Sequence, residues 1–132
     1  MKIIICGAGS SGRAIAEKLS EIGNEVTVID SSKRLIENLG SKLDIRGIVG
    51  HGAHPDILGE AGAGDAEMLI AVTPSDEINM MACQVAHSLF EVPKRELNEI
   101  HEIVTNEMEK AIKLNVPIKV DSNYGKSWFE AH

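Results

Sequence analysis

Residues 1–30 read MKIIICGAGSSGRAIAEKLSEIGNEVTVID. The apolar run 2–6 leads into Gly7, Gly9 and Gly12, spaced as G-x-G-x-x-G. Residues 11–22 then carry Ile15, Leu19 and Ile22 at i, i+4 and i+7, the stripe of an amphipathic helix. Gly23 suits the cap that stops it. Residues 25–29 form a second apolar strand, and Asp30 closes it. Strand, glycine turn, helix, strand and acid in this order make up the dinucleotide-binding fingerprint.

The chemistry explains the spacing. Gly7 allows a tight turn off the strand, Gly9 lets the backbone approach a pyrophosphate, and Gly12 lets the helix pack close to the strand. The helix start turns unpaired N–H groups and a positive dipole end toward phosphate. Asp30 lies 18 residues after Gly12, where a carboxylate accepts hydrogen bonds from ribose hydroxyls. It repels a 2′-phosphate, which favours NAD or NADH over NADP. Ala8, Ser10 and Ser11 complete the phosphate loop. Ser10 and Ser11 either donate hydroxyl hydrogen bonds to the ligand or cap the helix.

Working outward, residues 32–40 read as a short helix through Leu35, Ile36 and Leu39, and 45–49 as a third strand. Pro55 opens a helix ending near Gly62. Residues 68–72 are a fourth, fully apolar strand. Ser75 or Asp76 caps a long helix whose expected buried face is Ile78, Met81, Ala82, Val85 and Leu89. Alternating βα units of this length predict an α/β fold, a Rossmann-like doubly wound parallel sheet in the order 3-2-1-4 with a ligand at the carboxyl ends of the strands. After Leu89, Pro93 interrupts the pattern. A second helix is expected over 95–114, with Val104 and Met108 on its apolar face, and a fifth strand over 117–121.

At 132 residues the chain fits one small domain, with little room for a separate substrate domain. The net charge of −7 disfavours a nucleic-acid partner. No apolar run reaches the roughly 20 residues of a membrane span, and Met1 leads straight into a strand, so neither a signal peptide nor direct membrane insertion is expected. Cys6 and Cys83 lack CxxC spacing and read as reduced, buried thiols. With only 3% aromatic residues the core must be aliphatic. Met80, Met81 and Met108 read as core filler, and Trp128 and Phe129 either anchor the tail or fray.

Further candidate ligand residues follow the strands. Ser31 either touches the ribose or caps the next helix. His51 and Gly52 follow the third strand, where the adenine end of a nucleotide would lie. Thr73 and Ser75 follow the fourth, beside the phosphate loop. His51, His54 and Asp56 sit on one loop interrupted by Pro55, a poor metal cage with no thiolate nearby. No metal site and no catalytic residue is expected.

Residues 1 to about 90 closely resemble the TrkA N-terminal family, also called the RCK or KTN domain. The matching stretches are MKIIICGAGSSG, VTVID, IVGHGAHPDIL and AGAGDAEMLIAVTPSDEINMMACQVAHSLF. The last two are much more specific than the glycine motif. The resemblance implies a regulatory, non-enzymatic domain that binds NAD or NADH, or else ATP or ADP. It implies a homo-oligomer, a potassium transporter membrane subunit as partner, and a cytoplasmic location, peripheral at the inner membrane. Residues 89–132 instead resemble the C-terminal tail of DNA polymerase I, of family A, through MEKAIKLNVPIKVD, YGKSW and the terminal AH. The polymerase motif VHDE aligns with Val85, Ala86, His87 and Ser88, so its metal-binding acids are absent. The two resemblances meet at Leu89–Lys94. They imply a chimera: a nucleotide-binding domain over 1–90, with 91–132 packed on or appended to it. The alternatives are a small NAD-dependent oxidoreductase, which lacks a readable acid–base pair, and a non-functional fusion that retains the fold.

Overall fold

Four parallel strands form one sheet, in the order β3-β2-β1-β4. The computed structural model describes residues 1–42, 44–92 and 102–106. The chain runs β1 (Lys2–Cys6), α1 (Ser10–Glu21), β2 (Glu25–Asp30), α2 (Lys33–Lys42), β3 (Arg46–Val49), α3 (Pro55–Glu60), β4 (Met68–Ala71) and α4 (Asp76–Phe90). β1 is central: Cys6 stands level with Ile29 of β2 and with Ala71 of β4. The order is the expected one. The expected fifth strand over 117–121, most of the second helix with Met108, and Trp128 and Phe129 lie outside the described residues.

Alternation along β1 divides the core in two, because successive side chains of a strand point to opposite faces. Ile3 and Ile5 meet Ile15 and Leu19 of α1 and Ile36 and Leu39 of α2. Ile4 and Cys6 meet Leu58 of α3 and Ala82, Cys83 and Ala86 of α4. Residues 102–106 are helical, and Val104, at 1% exposure, joins the α1–α2 side. Both cysteines are buried, and neither is in a disulfide.

Local chemistry sets the helix ends. Gly23, at φ +94°, donates to Ser20 O, and Asn24 N–H donates to Leu19 O. This pair of bonds closes α1 as a Schellman cap. Ile22 becomes the C-cap and is 48% exposed, not part of the buried stripe as expected. α4 differs more. Its buried residues are Asn79, Ala82, Cys83 and Ala86, while Met80, Met81 and Leu89 are exposed. Of the expected face, Ala82 is buried and Ile78 and Val85 still pack against the core, but Met81 and Leu89 turn out, because small side chains let α4 sit close to β4. The two methionines are therefore not core filler.

α4 ends at Glu91, held in the left-handed region at φ 57°. Its N–H and that of Val92 both donate to Ala86 O, and the His87 ring bonds Val92 O. A side chain in that region costs roughly 1–2 kcal/mol that glycine avoids. Glu91→Gly should therefore raise unfolding stability by up to about 1 kcal/mol, after the entropy lost by glycine, as read from a urea midpoint.

Burial, reinforced by the neighbouring Cys83, pushes the Cys6 thiol far above its ordinary value of 9.0. Folded Cys6 should resist aromatic disulfide reagents until the chain unfolds. Above about pH 9 the unfolded thiol ionises while the folded one keeps its proton. The unfolded state then binds fewer protons, so stability falls as pH rises. Urea midpoints at pH 8 and pH 10 should show that loss, and Cys6→Ala should show less of it.

Candidate functional site

The carboxyl ends of all four strands are tied together beyond the ladder. Gly7 N–H donates to Ile29 O at 2.7 Å, Gly50 N–H to Asp30 O at 2.9 Å, and Val72 N–H to Cys6 O at 2.8 Å. Gly7 has φ +119°, and a Cβ there would lie 2.9 Å from Val72 O and 3.1 Å from Thr73 N. No side chain fits between those backbones. A Cβ on Gly12 would run into the Gly7 carbonyl. A Cβ on Gly9 would meet nothing within 4 Å. The loop is thus closed toward the sheet at Gly7 and Gly12 and open outward at Gly9.

Gly9 is also the N-cap of α1, with no side-chain cap bond and no acid in the first turn. Ser10 and Ser11 stand in that turn without capping it. By contrast, Ser75 caps α4, its Oγ accepting from Ile78 N–H at 3.3 Å, ahead of Asp76 and Glu77. The first turn of α1 therefore keeps the bare donors and positive end that an anion requires.

Asp30 reaches over this loop. Its Oδ2 accepts the Ala8 N–H and its Oδ1 the Ser32 N–H, both at 2.8 Å. A carboxylate has about four acceptor positions, so about two remain for ribose hydroxyls. Ser32, not Ser31, caps α2, its Oγ accepting from Leu35 N–H at 3.3 Å. Ser31 stays exposed beside the cleft.

A cleft of about 260 Å³ adjoins Asp30. Ser31, His51, Gly52, Thr73 and Ser75 line it, joined by Ile29, Gly50, Pro74 and Ile78. Of the residues singled out in the sequence, the structure places these five, with Asp30, around one opening. Gly7, Ala8, Gly9, Ser10, Ser11 and Gly12 form the adjacent loop. Gly52 is buried: a Cβ there would press on Cys6 Cβ and Sγ at 3.1 Å. His51 Nδ1 accepts the Ala53 N–H at 3.2 Å, and His54 Nδ1 caps α3 through Asp56 N–H at 3.3 Å. Each ring thus has one nitrogen engaged by its own loop. A larger hollow of about 400 Å³ lies at the amino ends of the strands, among Lys2, Glu25, Asp44, Arg46 and Asp65. No start of a helix lines it, so chemistry and not size selects the cleft at Asp30.

Asn79 escaped the sequence analysis. It is wholly buried. Its Oδ1 accepts Thr73 N–H at 2.9 Å and Thr73 Oγ1–H at 2.7 Å, and its Nδ2 donates to Thr73 O at 3.1 Å. Ser75 N–H donates to Thr73 Oγ1 at 3.2 Å. The Thr73 hydroxyl thus serves its own loop first. The available signal was a polar residue in register with Ala82, Cys83 and Ala86, legible only once the rotation of α4 is known.

The TrkA-N domain model matches residues 3–116. The match runs through Leu89–Lys94, and nothing in the comparisons supports the polymerase resemblance of 89–132. The Trk system potassium uptake protein TrkA of Azorhizobium caulinodans is 56% identical over 95 residues, covering 72% of this chain and 21% of that protein. The chain thus spans about a fifth of the length of that relative. Among solved structures, the AMP-bound C-terminal domain of Kef from Shewanella denitrificans aligns with a TM-score of 0.60 at 20% identity, covering 94% of this chain and 73% of that one. The NAD-bound GsuK channel aligns with a TM-score of 0.61 at 19% identity, covering 80% of this chain and 20% of that one. Those two alignments establish the shared Rossmann-like fold.

Charge-assisted hydrogen bonds contribute roughly 1.5–3 kcal/mol. Asp30→Ala, which leaves the N–H groups of buried Ala8 and half-buried Ser32 without their acceptor, should cost about 2 kcal/mol of stability without ligand. Chemical denaturation of the variant checks this.

Proposed function

This chain belongs to the TrkA-N domain family, and we propose that it is the nucleotide-sensing regulatory unit of a bacterial potassium uptake system. It binds NAD or NADH across the glycine loop and the Asp30 cleft. Its ligand state gates a potassium transporter membrane subunit. The observation that carries this reading is the pairing of a bare α1 start, open at Gly9, with the two unused acceptor positions of Asp30. Pyrophosphate takes the first and ribose hydroxyls the second. Ser10 and Ser11 donate to phosphate, Ser31 to the ribose edge, and His51 and Gly52 border the adenine. Thr73 and Ser75 form the opposite wall. ATP or ADP would use the same adenosine half. The AMP and NAD ligands of the Kef and GsuK structures support an adenine nucleotide.

The role is regulatory and not catalytic, in keeping with relatives that are potassium uptake proteins. Residues 1–90 make up the nucleotide-binding unit. Residues 91–132 are a segment packed on or appended to it, and the burial of Val104 against the α1–α2 side supports packing for residues 102–106. The unit works on the cytoplasmic side of the membrane, and no helix among the described residues is long and apolar enough to cross one. It assembles with further copies of itself, which the exposure of the neighbouring Met80 and Met81 on α4 supports.

Thermal unfolding with NADH, NADPH and ATP tests the ligand. At 100 times its dissociation constant a ligand adds roughly 2.7 kcal/mol, a shift of several degrees for a domain of this size. NADH should produce it and NADPH should not, because Asp30 opposes a 2′-phosphate. Gly9→Ala, which meets no atom in the fold, should change stability by less than about 1 kcal/mol yet abolish most of the NADH shift. An unchanged shift in that variant would remove the glycine loop from the binding site.

A further inference from the structure

The wall of the cleft and α4 are joined at two points, by the Ser75 cap of the helix and, deeper, by the side chain of Asn79. Thr73 faces the cleft, and its backbone abuts Gly7. Its N–H, its carbonyl and its hydroxyl all bond the Asn79 amide. Only one orientation of that amide serves all three: Oδ1 must face the two donors and Nδ2 the carbonyl. Asn79 is completely enclosed, so water cannot substitute for any of these bonds. One turn of helix away, Cys83 and then Ala86 pack on the sheet, while Met80 and Met81 of the same helix are exposed. A ligand that displaces residues 73–75 must therefore either carry α4 along or break the bonds to Asn79.

We propose that Asn79 is a positioning residue that couples occupancy of the nucleotide cleft to α4. This rests on the nucleotide reading above and adds the route by which binding reaches an outer surface. Asn79 touches no ligand. It acts through Thr73, whose position it sets, and Ser75 N–H on the Thr73 hydroxyl keeps the strap 73–75 in one piece. Two packed elements bonded through one enclosed amide respond as a unit, which is the physical content of coupling between sites.

Amide hydrogen exchange of the full chain, with and without saturating NADH, tests this. In the unaltered protein NADH should slow exchange in residues 8–12 and, by about 10-fold, in the amides of α4. In Asn79→Ala, at NADH concentrations that again protect 8–12, the α4 response should shrink to less than about 2-fold. Ala86→Gly is the control: it weakens the same helix without touching Thr73, and it should keep the full α4 response. Thr73→Val removes the hydroxyl bonds to Asn79 and Ser75 and leaves the two backbone partners of Asn79, so at NADH concentrations that again protect 8–12 it should give an intermediate response of about 3-fold. It carries the test if Asn79→Ala does not fold. A full α4 response in Asn79→Ala, or in Thr73→Val where that variant stands alone, overturns the inference. So does protection of 8–12 without any α4 response in the unaltered protein, which leaves the nucleotide reading standing. No protection of 8–12 in the unaltered protein overturns the NADH reading and the coupling together.

Discussion

The structure depends on one close approach of backbones. At the carboxyl end of the central strand, Gly7 leaves no space for a side chain against Val72 and Thr73, and Gly12 leaves none against Gly7. These contacts bring the glycine loop, the first turn of α1 and the strap after β4 to one point. Any side chain at either glycine would separate them. The sheet order puts β1 between β2 and β4, so this point lies where the chain reverses direction across the sheet. A ligand site there follows from topology before any polar group is considered.

Asp30 gives that point its chemistry. Its carboxylate accepts backbone N–H groups from two separate loops, at Ala8 and at Ser32. The same group that is proposed to recognise a ribose therefore also holds the glycine loop in place. Binding then meets a surface that is already ordered, which reduces the ordering cost of association. The N-terminal donors of α1 carry no side-chain cap because the cap position belongs to Gly9. Stability lost at that helix end is the counterpart of its capacity to hold an anion.

α4 shows how a polar group sets the orientation of an apolar element. Its hydrophobic residues allow several rotations, and the largest of them favour one that buries Met81 and Leu89. The fold adopts another, with Asn79 turned inward toward Thr73 and the methionines outward. Burying an unpaired amide costs roughly 1–3 kcal/mol, so the three bonds to Thr73 favour the rotation in which all of them form. Small Ala82, Cys83 and Ala86 then allow the helix to lie close to the sheet.

By itself the sequence determined the elements and their order. The apolar runs 2–6, 25–29 and 68–72 could be read as strands because parallel strands are covered on both faces. Gly7, Gly9, Gly12 and Asp30 were legible because their spacing encodes local backbone geometry. Only the tertiary structure decided the relations between distant segments. It assigned the cap of α2 to Ser32, which leaves Ser31 facing the cleft, and it left Ile22 outside the core because α1 closes one residue earlier. It selected Asn79 over Met81 because hydrogen bonding to a loop six residues upstream outweighs side-chain size. Periodicity reports which residues share a face. It does not report which face a neighbouring loop will bond.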